Sequence, residues 1–235
     1  MTHRKPRWLR RILLTGIGLF LLVQLWFLAW VLIWKVTEPG PTQFMKIRLA
    51  ELQKKTPNAR LQQTWIPYAS VSVSLKRALI AAEDSKFMQH HGFDFDGIQK
   101  AFEKNEKRGR ITAGGSTITQ QLAKNLFLWP EKSLIRKGEE ALITLMIEGT
   151  WSKRRILEVY MNEIEWGTGI FGAEAAARHY FGISASQLTD YQAAMLASMV
   201  PRPQYYDRKG ETDGLIRQTD VILDRMNKVA IPPIR

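Results

Sequence analysis

The chain has 235 residues, 45% of them apolar, which allows one compact domain plus appendages. It contains no cysteine, so a disulfide framework and a thiolate metal site are both excluded. Its formal net charge of +12 calls for an anionic partner: nucleic acid, a diphosphate or membrane headgroups.

Arg4, Lys5, Arg7, Arg10 and Arg11 open the chain with no acid among them. The next 23 residues, Ile12 to Trp34, carry no charge, and Thr15 and Gln24 are their only clearly polar side chains. A helix of that length rises about 34 Å, against about 30 Å for a bilayer's hydrocarbon core. Signal peptides have shorter apolar regions that end in small residues, whereas this one ends Trp-Val-Leu-Ile-Trp-Lys. Trp26, Trp30 and Trp34 recur every fourth residue towards its distal end, as interfacial anchors do. The expectation is a retained transmembrane helix over 12–34 rather than a buried core helix. Lys35 and Glu38 follow it with opposite signs, so the positive-inside rule puts residues 1–11 in the cytoplasm and the rest outside. Without the five leading cations and Lys35, 28 basic residues face 22 acidic ones, leaving the exported part near +6. That surplus suits a lipid diphosphate or membrane headgroups, and the expected side of the membrane argues against nucleic acid.

Glu38-Pro39-Gly40-Pro41 ends the apolar helix and opens a juxtamembrane linker over 35–60; the exported domain is expected over 61–235. Residues Tyr68 to Leu75 (YASVSVSL) show the only strand-period alternation. Leu75 to Asp84 has helical spacing and delivers Glu83 at its C-terminal end. Thr117 followed three residues later by Gln120 reads as a capping box, so a helix is expected after the glycines that precede it. Further helices are expected over 134–147, 152–164, 172–181 and 188–200, with Pro201 closing the last. The fold class is mainly α.

Two dense polar blocks stand out, EDSKFMQHHGFD from Glu83 and GGSTITQQLAKN from Gly114. A carboxylate in a partly apolar cleft can serve as a general base at neutral pH, and Ala81, Ala82 and Phe87 permit that environment for Glu83; the bland alternative is a helix-end acid bonded to backbone. Asp84 is read as orienting the loop. His90 is read as a hydrogen-bonding residue of the site wall rather than a metal ligand, and His91 as exposed. The glycines, Gly115 among them, allow backbone to approach a ligand closely, while Ser116, Thr117 and Gln121 offer neutral hydrogen bonds. Lys124 shares the helical face of Gln120 and Gln121. Arg136, Lys137 and Glu140, at spacings of four and three, also share one face: a surface ion-pair cluster on the bland reading, a phosphate clamp on the functional one. Glu139 is off that register and expected to be exposed. On the next helix Ile156, Leu157, Tyr160 and Met161 form a core stripe, with Glu158 and Asn162 as structural hydrogen-bonding residues. Phe93, Phe95, Phe102, Leu126, Phe127, Leu128 and Trp129 are each most simply core, and together a face towards the bilayer.

The two blocks resemble the first two motifs of the peptidoglycan glycosyltransferases of glycosyltransferase family fifty-one, ED-x-x-F-x-x-H-x-G and G-G-S-T-(I/L)-T-Q-Q. Arg136 to Glu140 fits the third, R-K-x-x-E, and KRRILEVYMN from Lys153 fits the fourth, K-x-x-I-L-E-x-Y-x-N. The fifth, R-R-x-x-x-V-L-x-R-M, is met loosely by RQTDVILDRM, where Gln218 stands in place of the second Arg. The resemblance covers residues 60–226, and because no transpeptidase domain follows, it is to the monofunctional, biosynthetic branch of the family. It implies a lysozyme-like helical fold and polymerisation of lipid II into β-1,4 glycan with release of undecaprenyl diphosphate. It also implies Glu83 and Glu140 as the essential carboxylates. Asp84, His90, Gly115, Ser116, Thr117, Gln121, Lys124, Asn125, Arg136 and Lys137 would then bind substrate. The implied partners are lipid II, the growing glycan strand, membrane lipids and other cell-wall synthesis or division proteins. The implied place is the bacterial inner membrane, with the catalytic domain on the periplasmic side. No resident metal is expected in the protein, and a divalent cation (Mg2+ or Mn2+) bridging the diphosphate stays open. A lytic, lysozyme-like enzyme has no use for a diphosphate clamp, and a non-catalytic scaffold has none for intact carboxylates at both Glu83 and Glu140.

Overall fold

The computed structural model describes residues 7–109, 114–131 and 133–234; Arg4 and Lys5, which carry part of the expected orientation, lie outside the described residues. Among the described residues the chain forms eleven α-helices and one small sheet. Side-chain oxygens make the helix starts: Thr42, Ser72, Asp94, Thr117, Ser133, Ser152, Thr189 and Thr212 each accept from a first-turn N–H. Such a cap is typically worth about 1 kcal/mol.

Helix α1 (Arg7–Trp34) is long and apolar enough to cross a membrane, with mean hydropathy 2.3 over an 18-residue window within Arg10–Trp34. Its distal half packs against the rest of the chain, where Phe27 and Val31 are buried. The stretch after it contains α2 (Gln43–Gln53), which packs against α5 (Ile118–Phe127) and sets Phe44 on Phe171. A two-residue strand β1 (Gln62–Gln63) pairs in parallel with β3 (Ile170–Phe171), which pairs antiparallel with β2 (Glu165–Gly167).

The alternation at Tyr68 to Leu75 does not make a strand. Its serines serve helix α3 (Val73–Glu83) instead: Ser72 accepts from Leu75 N–H at 3.1 Å, and Tyr68–Ser70 forms a single 3-10 turn before it. Helix α4 (Phe95–Arg108) lies on the surface, and α5 is almost wholly buried between α2, α6 (Leu134–Thr150) and α7 (Lys153–Glu163). Helices α8 (Ala173–Phe181), α9 (Asp190–Met199), α10 (Pro203–Lys209) and α11 (Asp213–Arg225) complete the chain, and α3 packs on α9 and α11. The C-terminus of α3 is therefore held between the α9/α11 pair and the α5–α7 group.

Glu163, at the end of α7, is fully buried; Gln63 Nε2 donates to its Oε1 at 3.2 Å. Burial pushes its carboxyl up from the usual carboxylate range to about 8, with the Gln63 bond and Arg155 pulling it back. The unfolded chain releases this proton near 4.5, so it binds fewer protons than the folded chain between that pH and about 8. Stability should therefore fall as pH rises through this window, by at most about 1.4 kcal/mol per unit from this group. Thermal unfolding of wild type and Glu163→Gln over that range checks it: the variant's slope should be flatter, and equal slopes would remove Glu163 as the cause.

Candidate active site

Glu83 ends α3 and is half-buried. Gln121 Nε2, from the middle of α5, donates to Glu83 Oε2 at 2.6 Å, and Tyr160 Oη, from α7, donates to Gln121 Oε1 at 2.9 Å. The phenol thus fixes which end of the amide faces the carboxylate. Burial raises the Glu83 carboxyl above the usual range, the Gln121 bond and the Lys124 cation oppose this, and the Asp84 charge adds to it. Tyr160, fully buried and close to both carboxylates, is pushed well above the ordinary phenol value and stays a donor.

Asp84 ties the two polar blocks together. Its Oδ2 accepts from Ile118 N–H at 3.0 Å, on the first residue of α5, and its Oδ1 meets His90 Nε2 at 2.8 Å. Gly92 N–H donates to His90 Nδ1 at 3.2 Å, which assigns the ring proton to Nε2 and makes His90 the donor to Asp84. Gly92 has φ +89°, and a Cβ there would lie 2.6 Å from Thr144 Cγ2, so only glycine fits this turn against α6.

Thr117 is buried, and its hydroxyl has two partners within the protein: Oγ1 donates to Gly92 O at 2.7 Å and accepts from Gln120 N–H at 3.2 Å. It shapes the loop and caps α5. Gly115 lies so close to α4 that a Cβ would meet Ile98 Cα at 3.0 Å. Glycine there serves backbone packing against α4.

The cations gather around Glu140. Arg136 Nη1 bonds Glu140 Oε2 at 2.8 Å, and Lys137 Nζ bonds Glu140 Oε1 and reaches Ser116 Oγ at 3.2 Å. Glu140 and Arg136 are both buried, and Arg136 Nε has no partner among the described residues. The Lys124 side chain makes no hydrogen bond or ion pair among the described residues; its Nζ lies 5.8 Å from the Phe44 ring centre. Burial lowers its pKa, Glu140 and Glu83 raise it, and Arg136 and Lys137 lower it, so it belongs to the same electrostatic cluster as both carboxylates. Asn125 is buried on the same face, four residues after Gln121, with no hydrogen bond among the described residues. Glu139 is not free as expected: both its carboxylate oxygens accept from Gln24 of α1.

Two cavities meet at Glu83. One of about 230 Å3 is lined by Asp84, the 114–117 loop and Arg225; the other, of about 320 Å3, by Arg202, Tyr206 and Gln218. A third and larger one, of about 620 Å3, lies between α1 and α5, lined by Trp26, Phe27, Trp30, Trp34, Phe127 and Trp129 with Lys46 at its edge. Of the apolar residues flanking the polar blocks, Leu126, Phe127 and Leu128 are core, whereas Phe95 and Phe102 are 74% and 69% exposed. From the sequence, Tyr160 reads as part of the core stripe, Arg225 falls only within the loosely met fifth motif, and Arg202 and Tyr206 carry no role. Tyr160 occupies the Tyr position of the fourth motif, which was the available signal; Arg202 and Tyr206 had none.

A family model described as Transglycosylase matches residues 50–227, and the chain belongs to that family. It is 63% identical over 226 residues to a biosynthetic peptidoglycan transglycosylase of Dechloromonas aromatica (strain RCB), a match covering 96% of this chain and 98% of the relative. It is 56% identical over 227 residues to one of Azoarcus sp. (strain BH72), covering 97% and 98%, and 54% identical over 226 residues to one of Nitrosospira multiformis, covering 96% and 98%.

Proposed function

We propose that the chain polymerises lipid II into β-1,4-linked peptidoglycan strands, releasing undecaprenyl diphosphate. The observation that carries this reading is one half-buried carboxylate, Glu83, held by Gln121 and electrostatically coupled to Lys124, which is coupled in turn to Arg136, Lys137 and Glu140. Glu83 takes the proton from the acceptor 4-hydroxyl as that oxygen attacks the donor sugar carbon and the bond to the diphosphate breaks. A raised carboxyl pKa makes it a better base than an ordinary glutamate. Lys124, Arg136 and Lys137 hold the diphosphate and offset the charge that grows on it, while Glu140 keeps the Arg136 and Lys137 heads in place. One displacement converts the α-linked donor to a β-glycoside without a covalent intermediate. Asp84 and His90 position the loop, and Ser116 and Gln121 contribute neutral hydrogen bonds.

A resident divalent metal does not fit this donor set. Among the described residues no three His, Asp or Glu side chains converge, and both Glu140 oxygens already accept from cationic side chains. The cations match the diphosphate directly, and no step is routed through a metal.

In this reading residues 1–11 are cytoplasmic, 12–34 cross the bacterial inner membrane, and the domain from residue 61 acts on the periplasmic side. The apolar cavity between α1 and α5 suits the substrate's lipid chain. A reporter active only in the exported compartment, fused after Arg235, should give signal, and signal from a cytoplasm-only reporter would overturn both topology and substrate. The enzymatic test is incubation of purified protein with lipid II, beside pre-formed glycan. Long polymer from lipid II supports the proposal, and shortening of the pre-formed glycan without polymer would favour a lytic enzyme.

A further inference from the structure

Gln24 is one of two clearly polar side chains in the uncharged stretch 12–34, ten residues before its end at Trp34. That is about 15 Å along a helix, close to the middle of a bilayer core. Its carboxamide is not idle. Nε2 donates to both oxygens of Glu139, at 2.7 and 3.0 Å, and Gln24 Oε1 is buried with no partner among the described residues. Glu139 sits on α6 between Lys137 and Glu140, on the turn that carries the cation cluster.

One more contact ties α1 to the end of α6, and another ties it to the start of α7. Trp151 Nε1 donates to Val31 O at 2.8 Å, and Arg155 Nε and Nη2 donate to Trp34 O at 3.1 and 2.9 Å. Positions 24 and 31 of α1 thus meet 139 on α6 and 151 just past its end, so α1 and α6 run in the same direction. The start of α6 then lies level with the interior of the apolar stretch. Its first two residues, Leu134 and Ile135, are 92% and 81% exposed, an arrangement suited to lipid rather than water. A polar side chain at such depth is costly unless it has a partner, and an interhelical hydrogen bond there fixes how two helices meet.

We infer that Gln24 is a positioning residue of the donor site: through Glu139 it locks α6 to the N-terminal helix and sets the depth of Arg136 and Lys137 in the membrane. The N-terminal helix is then part of the donor site as well as an anchor. This rests on the reading that residues 12–34 span the membrane and that the cations hold the donor diphosphate.

The test uses the full chain in phospholipid vesicles and compares wild type, Gln24→Leu, Glu139→Leu, the double leucine variant and the exchange Gln24→Glu with Glu139→Gln. Each single leucine variant should lose about 3- to 20-fold in kcat/KM for lipid II, the range of one interhelical hydrogen bond. The loss should appear in KM, with kcat near wild type and the unfolding temperature lowered by only about 2–4 °C per kcal/mol lost. The double leucine variant should be no worse than the singles, and the exchange should recover most of the loss. An unchanged KM in Gln24→Leu, or an exchange no better than the singles, overturns the assignment. An activity-independent measurement separates this from failure of the functional reading. The chain has no cysteine, so a fluorophore on Ile135→Cys is the only thiol label. A quencher resident in the lipid chains should quench it in the wild-type background, and less so with Gln24→Leu. Equal quenching in the two backgrounds overturns the latch even if lipid II is polymerised, and unequal quenching upholds it even if lipid II is not the substrate.

Discussion

Glu83→Gln should lose glycan synthesis by about 10²- to 10⁴-fold while still binding lipid II or a diphosphate analogue, because the amide keeps the shape but cannot take a proton. The structure sharpens this in two ways. Gln121 donates to Glu83 Oε2, so the new amide would face Gln121 with its own nitrogen unless it turned, and Tyr160 prevents Gln121 from turning in response. Glu83→Asp should therefore also fail, by withdrawing the carboxylate from Gln121. The pH dependence has a definite sign. With Glu83 as the proposed base the deprotonated form is the active one, and burial raises the folded carboxyl, so the rate should rise with pH through a value above the ordinary 4.5. Lys124 pulls that value down, so in any Lys124→Ala activity that survives, the rising limb should move to higher pH. Rate profiles of wild type and Lys124→Ala check both; near-normal turnover in Glu83→Gln would remove Glu83 as the base.

The cations should matter through charge and reach. Lys124→Ala and Arg136→Ala should each cost about 10²- to 10³-fold in kcat, since charge grows on the leaving diphosphate as its bond breaks. Arg136→Ala also leaves Glu140 buried with only Lys137 beside it, so its unfolding temperature must be measured next to its rate. Arg136→Lys separates the two effects. It keeps the charge for Glu140 but lacks the planar fork, so the protein should fold normally and still turn over more slowly than wild type. Normal rates in all three variants would reduce this set to an ordinary ion-pair cluster.

Much of this architecture is legible in the residues, and the failures have physical causes. The helices of the domain announce themselves through caps and apolar spacing, and the Thr117/Gln120 capping box forms as its spacing requires. The Ser-Val-Ser alternation misleads because a serine's preference for helix N-caps produces the same pattern as a half-buried strand. Strands of two or three residues, such as Gln62–Gln63, are too short to leave a period at all. Within the site, the motifs place Glu83, Asp84 and the cations on neighbouring elements, but not what each hydrogen-bonds. Thr117 offered the right chemistry for a ligand and gives it to Gly92 and its own helix. Glu139 looked like a solvated charge because its partner, Gln24, lies 115 residues away on a helix outside the domain.

The central claim is that one sugar–sugar bond is made for each diphosphate lost. Full-length protein supplied with lipid II should therefore release one undecaprenyl diphosphate per β-1,4 linkage formed, both counted in the same reaction, and neither should appear with Glu83→Gln. Release of the diphosphate lipid without new linkages, or cleavage of existing linkages with none released, would contradict it.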